Sequence, residues 1–184
     1  MALDSSKTLV VGAGNFFTAP YVPATPAALP TNLKVTPAAP WVDMGHTSLE
    51  DIFSVASEGG EATSLGTLQS KTLRTTYSPR SETFNITLQQ FDSASLKLYF
   101  GGNAGVGTGQ ELQVPMTPTP TVSSFLAIFI DGTNAFAFYA PKAEILRGDD
   151  LSLSDTESLA GLPIAIKPIP HSTNTWAYAV TPLA

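Results

Sequence analysis

The chain has no cysteine, which excludes disulfides, thiolate metal sites and a cysteine nucleophile. Charge is scarce as well. Asp, Glu, Lys and Arg make up 13% of the residues, against a usual share of about 25%. Surfaces this poor in charge are apolar or hydroxyl-rich, as is common where a protein is buried against copies of itself. Basic residues are the scarcer sign, 9 against 15 acids, for a net charge of −6. Lys7, Lys34, Lys71, Arg74, Arg80, Lys97, Lys142, Arg147 and Lys167 are scattered and form no run. Counterion release from phosphate, which drives nucleic-acid binding, therefore has no platform here. Long apolar runs are missing too. The longest is Phe125–Ile130, far below the roughly 18 residues that span a bilayer. Met1–Lys7 has neither a basic leader nor an apolar core, so no signal peptide and no membrane association are expected.

Catalytic and cofactor signals are equally thin. His46 and His171 are the only histidines, and neither has metal-ligand spacing with another ligand. No Gly-x-Ser-x-Gly elbow nominates a serine nucleophile. The acidic pairs Glu50-Asp51, Asp149-Asp150 and Asp155/Glu157 do not fit a calcium loop and read as solvated surface. Leu9–Phe17 looks like a strand followed by a dinucleotide fingerprint, but Phe17 holds the third glycine position. Pro20, Pro23 and Pro26 forbid the helix that must follow, and no acid lies about 20 residues on. The expectation is no enzyme, no cofactor and no metal.

What the chain does contain is proline, glycine and β-type periodicity. Lys7–Val11 reads as a short strand ending at Gly12-Ala13-Gly14. Residues 18–40 form an arm-like segment with Pro20, Pro23, Pro26, Pro30, Pro37 and Pro40. Prolines this dense forbid a helix and disfavour an internal strand. At about 3.1 Å per residue the segment reaches on the order of 70 Å, while the radius of gyration expected for the chain is about 16 Å. It is long enough either to lie on a neighbouring copy or to be a disordered linker. Residues 41–70 hold the densest acids, with short β-like pieces between glycines, and Lys71–Ser78 reads as a strand.

The clearest period-two signal places Phe84, Ile86 and Leu88 on one face and Thr83, Asn85, Thr87 and Gln89 on the other. Asp92 is a good N-cap for a helix Ser93–Phe100, whose buried stripe would be Leu96, Tyr99 and Phe100, ended by Gly101-Gly102. Ser123–Ile130 is apolar on both faces and reads as a central strand. Asp131-Gly132 signals a tight hairpin, with Ala135–Tyr139 returning. Lys142–Arg147, Gly161–Lys167 and Thr175–Val180 complete a β-rich second half, and Asp149–Ser158 reads as an exposed loop. The expected architecture is one mainly β domain over 1–184, an antiparallel sandwich or barrel-like fold with one flanking helix and an extended proline-rich arm.

One ordered set of residues is more specific. It runs Trp41-Val42-Asp43-Met44-Gly45-His46-Thr47-Ser48-Leu49-Glu50-Asp51, then Glu58-Gly59-Gly60-Glu61-Ala62-Thr63, Gly66-Thr67-Leu68-Gln69, Leu73-Arg74-Thr75, and Leu88-Gln89-Gln90-Phe91-Asp92 leading into the helix. Over roughly residues 40–105 this resembles the major tail (tail tube) proteins of long-tailed, non-contractile bacteriophages, especially those of actinobacterial hosts. The segments Tyr139–Glu144 and Leu162–Ile164 fit that family's C-terminal half more loosely.

The resemblance implies a virion protein assembled in the host cytoplasm. Six copies form a ring, and rings stack into a tube through which double-stranded DNA passes without specific binding. Tape-measure, terminator and tail-tip proteins are the implied further partners. Trp41, Asp43, His46, Glu58, Glu61 and Arg74, in or beside a contact region 41–70, are expected at subunit contacts. Trp41 fits a core position of its own subunit equally well, and Arg74 an ordinary exposed site. Phe84, Ile86, Leu88, Leu96, Tyr99 and Phe100 are expected to pack helix on sheet. The alternative is a carbohydrate-binding or adhesin β-sandwich, with Trp41, Trp176 and Tyr178 as its candidate aromatic platform.

Overall fold

A computed structural model describes residues 3–4, 7–153, 158–172 and 174–183. The chain order is β1 (Ala13–Pro20), β2 (Val42–Asp43), β3 (Ser54–Gly59), β4 (Ala62–Leu65), β5 (Arg74–Tyr77), β6 (Arg80–Leu88), α1 (Ser93–Phe100), β7 (Gly105–Val106), β8 (Leu112–Gln113), β9 (Thr121–Asp131), β10 (Asn134–Arg147), β11 (Leu162–Pro168) and β12 (Ala179–Val180). One antiparallel sheet dominates, in the order β2-β1-β9-β10-β11-β6-β3, with β12 also paired to β10.

The sheet curls on itself. Adjacent strands lie about 4.8 Å apart, so β6 and β9, three places apart, would be about 14 Å apart in a flat sheet. Yet the rings of Phe84 on β6 and Phe125 on β9 are 6.1 Å apart. Phe16 on β1 lies 6.1 Å from Phe53, which immediately precedes β3 at the far edge. The interior of the curl is an aromatic core that includes Phe16, Phe84, Phe125 and Phe129, with Ile86, Leu88, Ile145, Leu162, Ile164 and Ile166.

Residues 44–48 strap the open seam without closing a barrel. Met44 N–H donates to the Phe16 carbonyl on one side. On the other side Thr47 bridges Leu88, Ser48 N–H donates to Thr87 and Gln89 N–H donates to His46. Gly45 makes the strap possible. Its φ is +89°, a left-handed conformation in which a side chain is strained.

The double-sided burial of β9 has a specific cause. Phe125, Ala127 and Phe129 point into the curl, while Leu126 and Ile128 join Phe17, Ala137 and Tyr139 in a second cluster on the outer face. That outer cluster is covered by Ala27, Leu29, Leu33 and Trp41 of the proline-rich segment. Tyr139 O–H donates to the Ala27 carbonyl at 2.6 Å, and Trp41 Nε1–H donates to Ala28 at 3.0 Å. A ring nitrogen of His171 lies 2.7 Å from the Pro23 carbonyl. In this single chain, then, residues 21–40 lie on their own sheet, and Thr18–Pro20 belong to β1.

Three strand boundaries differ from expectation. Of the expected Thr175–Val180 only Ala179–Val180 pairs, as β12. The first strand is Ala13–Pro20, not Lys7–Val11, because Phe16 and Phe17 bury opposite faces and outweigh the flanking glycine and proline. Ala135–Tyr139 and Lys142–Arg147 are one strand, β10, whose register shifts between Ala140 and Ala143. Pro141 sits in the shift, where its missing N–H costs no ladder bond, and its carbonyl accepts from the buried Ser124 hydroxyl at 2.8 Å.

The helix spans Ser93–Phe100. The Asp92 carboxylate accepts from the N–H groups of Ala94 and Ser95. The Ser95 N–H bond is the main reason its pKa lies below the usual carboxylate value. Ser95 and Tyr99 are the buried residues of α1, with Leu96, Leu98 and Phe100 partly buried against the core.

Candidate assembly interface

Between the seam strap and β6 the chain leaves the body as a two-stranded ribbon. In β3–β6, Ser54 faces Asn85 and Gly59 faces Arg80. In β4–β5, Ala62 faces Tyr77 and Leu65 faces Arg74. No residue is gained or lost between the two ladders, so they form one continuous hairpin. Ser78 N–H donates to the Glu61 carbonyl, and Glu61 N–H donates to Ser78 Oγ, carrying the pairing across the break that Pro79 imposes. Gly59 and Gly60 both have positive φ, +80° and +73°, and a Cβ on Gly59 would lie 2.3 Å from the Pro79 carbonyl oxygen. The ribbon therefore changes direction here at a point only glycine occupies without strain. From Ser54 to Leu65 it extends about 40 Å at strand pitch.

The ribbon has no core of its own. All residues of β3 and β4 are exposed. Leu68 is 99% exposed and Tyr77 73%, and Leu65 and Leu73 are exposed as well. Local bonds shape the tip: Thr67 N–H donates to Ser70, and Leu73 N–H to Leu65. A lone two-stranded hairpin is only marginally stable in water, and exposed leucines on a projection mark a contact surface better than a solvent face.

The residues expected at subunit contacts fall in three places. Glu58, Glu61 and Arg74 lie exposed along the ribbon. Arg74 makes no ion pair among the described residues. Asp43, at the end of β2, and His46, on the strap, are exposed, and the Asp43 carboxylate accepts from Gly45 N–H at 2.8 Å. Trp41 is 8% exposed, in the outer core of its own chain, with its ring 6.2 Å from that of Tyr139.

Trp176 also packs against Tyr139, at 6.4 Å. Tyr178 packs against Phe84, its hydroxyl donating to the Glu82 carboxylate. That hydrogen bond, more than burial, raises the Tyr178 pKa. Of the three aromatics named for a glycan platform, Trp41 and Tyr178 are thus packed into the body, and Trp176 is 40% exposed. Among the described residues no group of three or more His, Cys, Asp or Glu lies together as a metal site, and no helix is long and apolar enough to cross a membrane. Asp155 and Glu157 lie outside the described residues. Leu68 stands in the ordered set read from the sequence, but Leu65 and Tyr77 carry no signal there, since isolated apolar residues among Thr and Ser show no period.

The family model described as phage tail tube protein matches residues 1–180. The chain is 34% identical over 145 residues to the major tail protein Gp23 of Mycobacterium phage L5, covering 74% of this chain and 68% of that protein. It is 31% identical over 189 residues to the major tail protein Gp23 of Mycobacterium phage D29, covering 93% and 89%.

Proposed function

The chain belongs to the phage tail tube protein family, and from that premise we propose that it is the polymerising subunit of a long, non-contractile phage tail. Six copies form a ring, and rings stack into a tube around a bore that passes double-stranded DNA without binding it specifically. The chain works in the virion after assembly in the host cytoplasm, with tape-measure, terminator and tip proteins at the ends of the tube. No catalytic role is proposed.

The observation that carries this reading is the ribbon spanning 54–85. It is a continuous hairpin rooted in the body at Phe84, and beyond Gly59-Gly60 it leaves its strands and its apolar side chains Leu65, Leu68, Leu73 and Tyr77 exposed. Such an element gains most of its stability only when another chain covers it. Glu58, Glu61 and Arg74 on the ribbon, Asp43 at the end of β2 and His46 on the strap are proposed as contacts to neighbouring copies. The net charge of −6 fits a conduit, because a basic lining would hold phosphate by counterion release.

Negative-stain microscopy of the concentrated protein tests the reading. Rings or long tubes are expected, and a protein that stays monomeric at every concentration would reject it. Deleting residues 18–40 is not a clean test of the proline-rich segment. The deletion removes the Thr18–Pro20 end of β1 and the Ala27 cover on the outer core, so loss of folding and loss of assembly would coincide.

A further inference from the structure

Two surfaces at opposite ends of the ribbon are complementary, and one chain cannot satisfy both. At the tip, the stretch from Ala62 to Pro79 carries Lys71 and Arg74 and no acid, in a chain of net charge −6. Both cations are exposed beside Leu65, Leu68 and Leu73. At the root is a cleft of about 540 Å³ lined by Ile52, Phe53 and Pro163, together with Glu50, Asp51 and Asp149. No basic residue lines it. The three acids are exposed, and each comes from a segment fixed by the fold. Glu50 and Asp51 donate their N–H groups to Ser48 Oγ just beyond the strap. The Asp149 carbonyl accepts from Tyr99 O–H at 2.9 Å.

Ser54 and Asn85, the first pair of the ribbon, are themselves part of the cleft wall. The tip therefore lies about 40 Å along the strands from its own cleft and cannot fold into it. Resting on the tube-subunit reading above, we propose that the Lys71/Arg74 tip of one copy docks in the Glu50/Asp51/Asp149 cleft of the next. The three tip leucines then meet the Ile52, Phe53 and Pro163 lining while the charges pair around them. A tip meets a different surface on its partner, so when each copy docks on a new neighbour the contact repeats head to tail into a ring or an open stack. Opposed charges around an apolar centre also set register and speed encounter.

The test uses two full-length variants. K71E/R74E has an acidic tip and an acidic cleft. E50K/D51K/D149K has a basic tip and a basic cleft. All five positions are exposed, and circular dichroism checks that both variants fold. Each variant alone is expected to lose polymer, read by sedimentation and negative stain, because tip and cleft then repel. Mixed in equal amounts they are expected to copolymerise, since each tip now matches the other's cleft. Tubes from either variant alone at the wild-type level, or a mixture that stays unassembled, would overturn the docking. Wild-type protein that never polymerises sinks the tube-subunit reading and this one with it. Wild-type tubes with unaffected charge variants sink this one alone.

Discussion

Tyr139 is the residue on which the cover of the outer core most depends. Its ring packs against both Trp41 and Trp176, and its hydroxyl donates to the Ala27 carbonyl. Burial pushes its pKa above the ordinary tyrosine value, so the phenol stays protonated and able to donate at any physiological pH. Tyr139→Phe keeps the ring and leaves the Ala27 carbonyl without this donor. Its expected cost is about 1–2 kcal/mol, measured by urea unfolding, with faster proteolysis within residues 21–40 as the local signature. Asp92 makes a separate case. Its pKa is lowered, first by the Ser95 N–H bond, so its contribution is present above the unfolded carboxylate pKa and is lost as pH falls through the lower folded value. Asp92→Ala is expected to cost about 1 kcal/mol at neutral pH. The gap to wild type should shrink below about pH 4, as chemical denaturation across that range would read.

At the scale of the element, the ribbon and the body are separate problems. The body needs buried apolar area, whereas the ribbon needs a partner. Replacing residues 62–77 by a two-residue turn removes β4, β5 and the tip but leaves every core residue in place. The expected outcome is an unchanged thermal midpoint with no tubes by negative stain. If the truncated protein forms tubes, the ribbon is not an assembly element. Legibility follows the same division. α1 and β6 were readable because an N-capping aspartate and a strict alternation of Phe84, Ile86 and Leu88 each report a local physical requirement. β9 was readable as central, but what covered its second face was not, since nothing in Leu126 or Ile128 names the proline-rich segment as the cover. β1 was missed because glycine and proline at its ends outweighed the Phe16-Phe17 pair. The outgoing half of the ribbon appeared only as β-like fragments between glycines, while its return was readable in the strand Lys71–Ser78, of which Arg74–Tyr77 pairs. With both faces in solvent its sequence needs no period of two, and its continuity lies in cross-strand register that no single strand encodes.

For the whole molecule, the curled sheet and the ribbon should differ sharply in how they open. β9 and β10 sit at the centre of the sheet with buried residues on both faces, so their amides exchange only through global unfolding. The ribbon beyond Gly59-Gly60 has exposed strands and no packed face, so it opens locally at little free-energy cost in the free subunit. If other copies cover the ribbon, assembly must reverse this, because opening it then also breaks the contacts between chains. Hydrogen exchange on subunit and polymer reads the difference directly. In the free subunit residues 62–77 are expected to exchange with little protection while 123–130 and 135–145 are strongly protected. In the polymer the ribbon should slow by orders of magnitude, with the slowing centred on Leu65–Arg74 and matched at Glu50–Ser54 on the receiving side. Equal exchange of the ribbon in both states would place the contacts between copies elsewhere on the molecule, and the marginal hairpin would then need another explanation for its persistence.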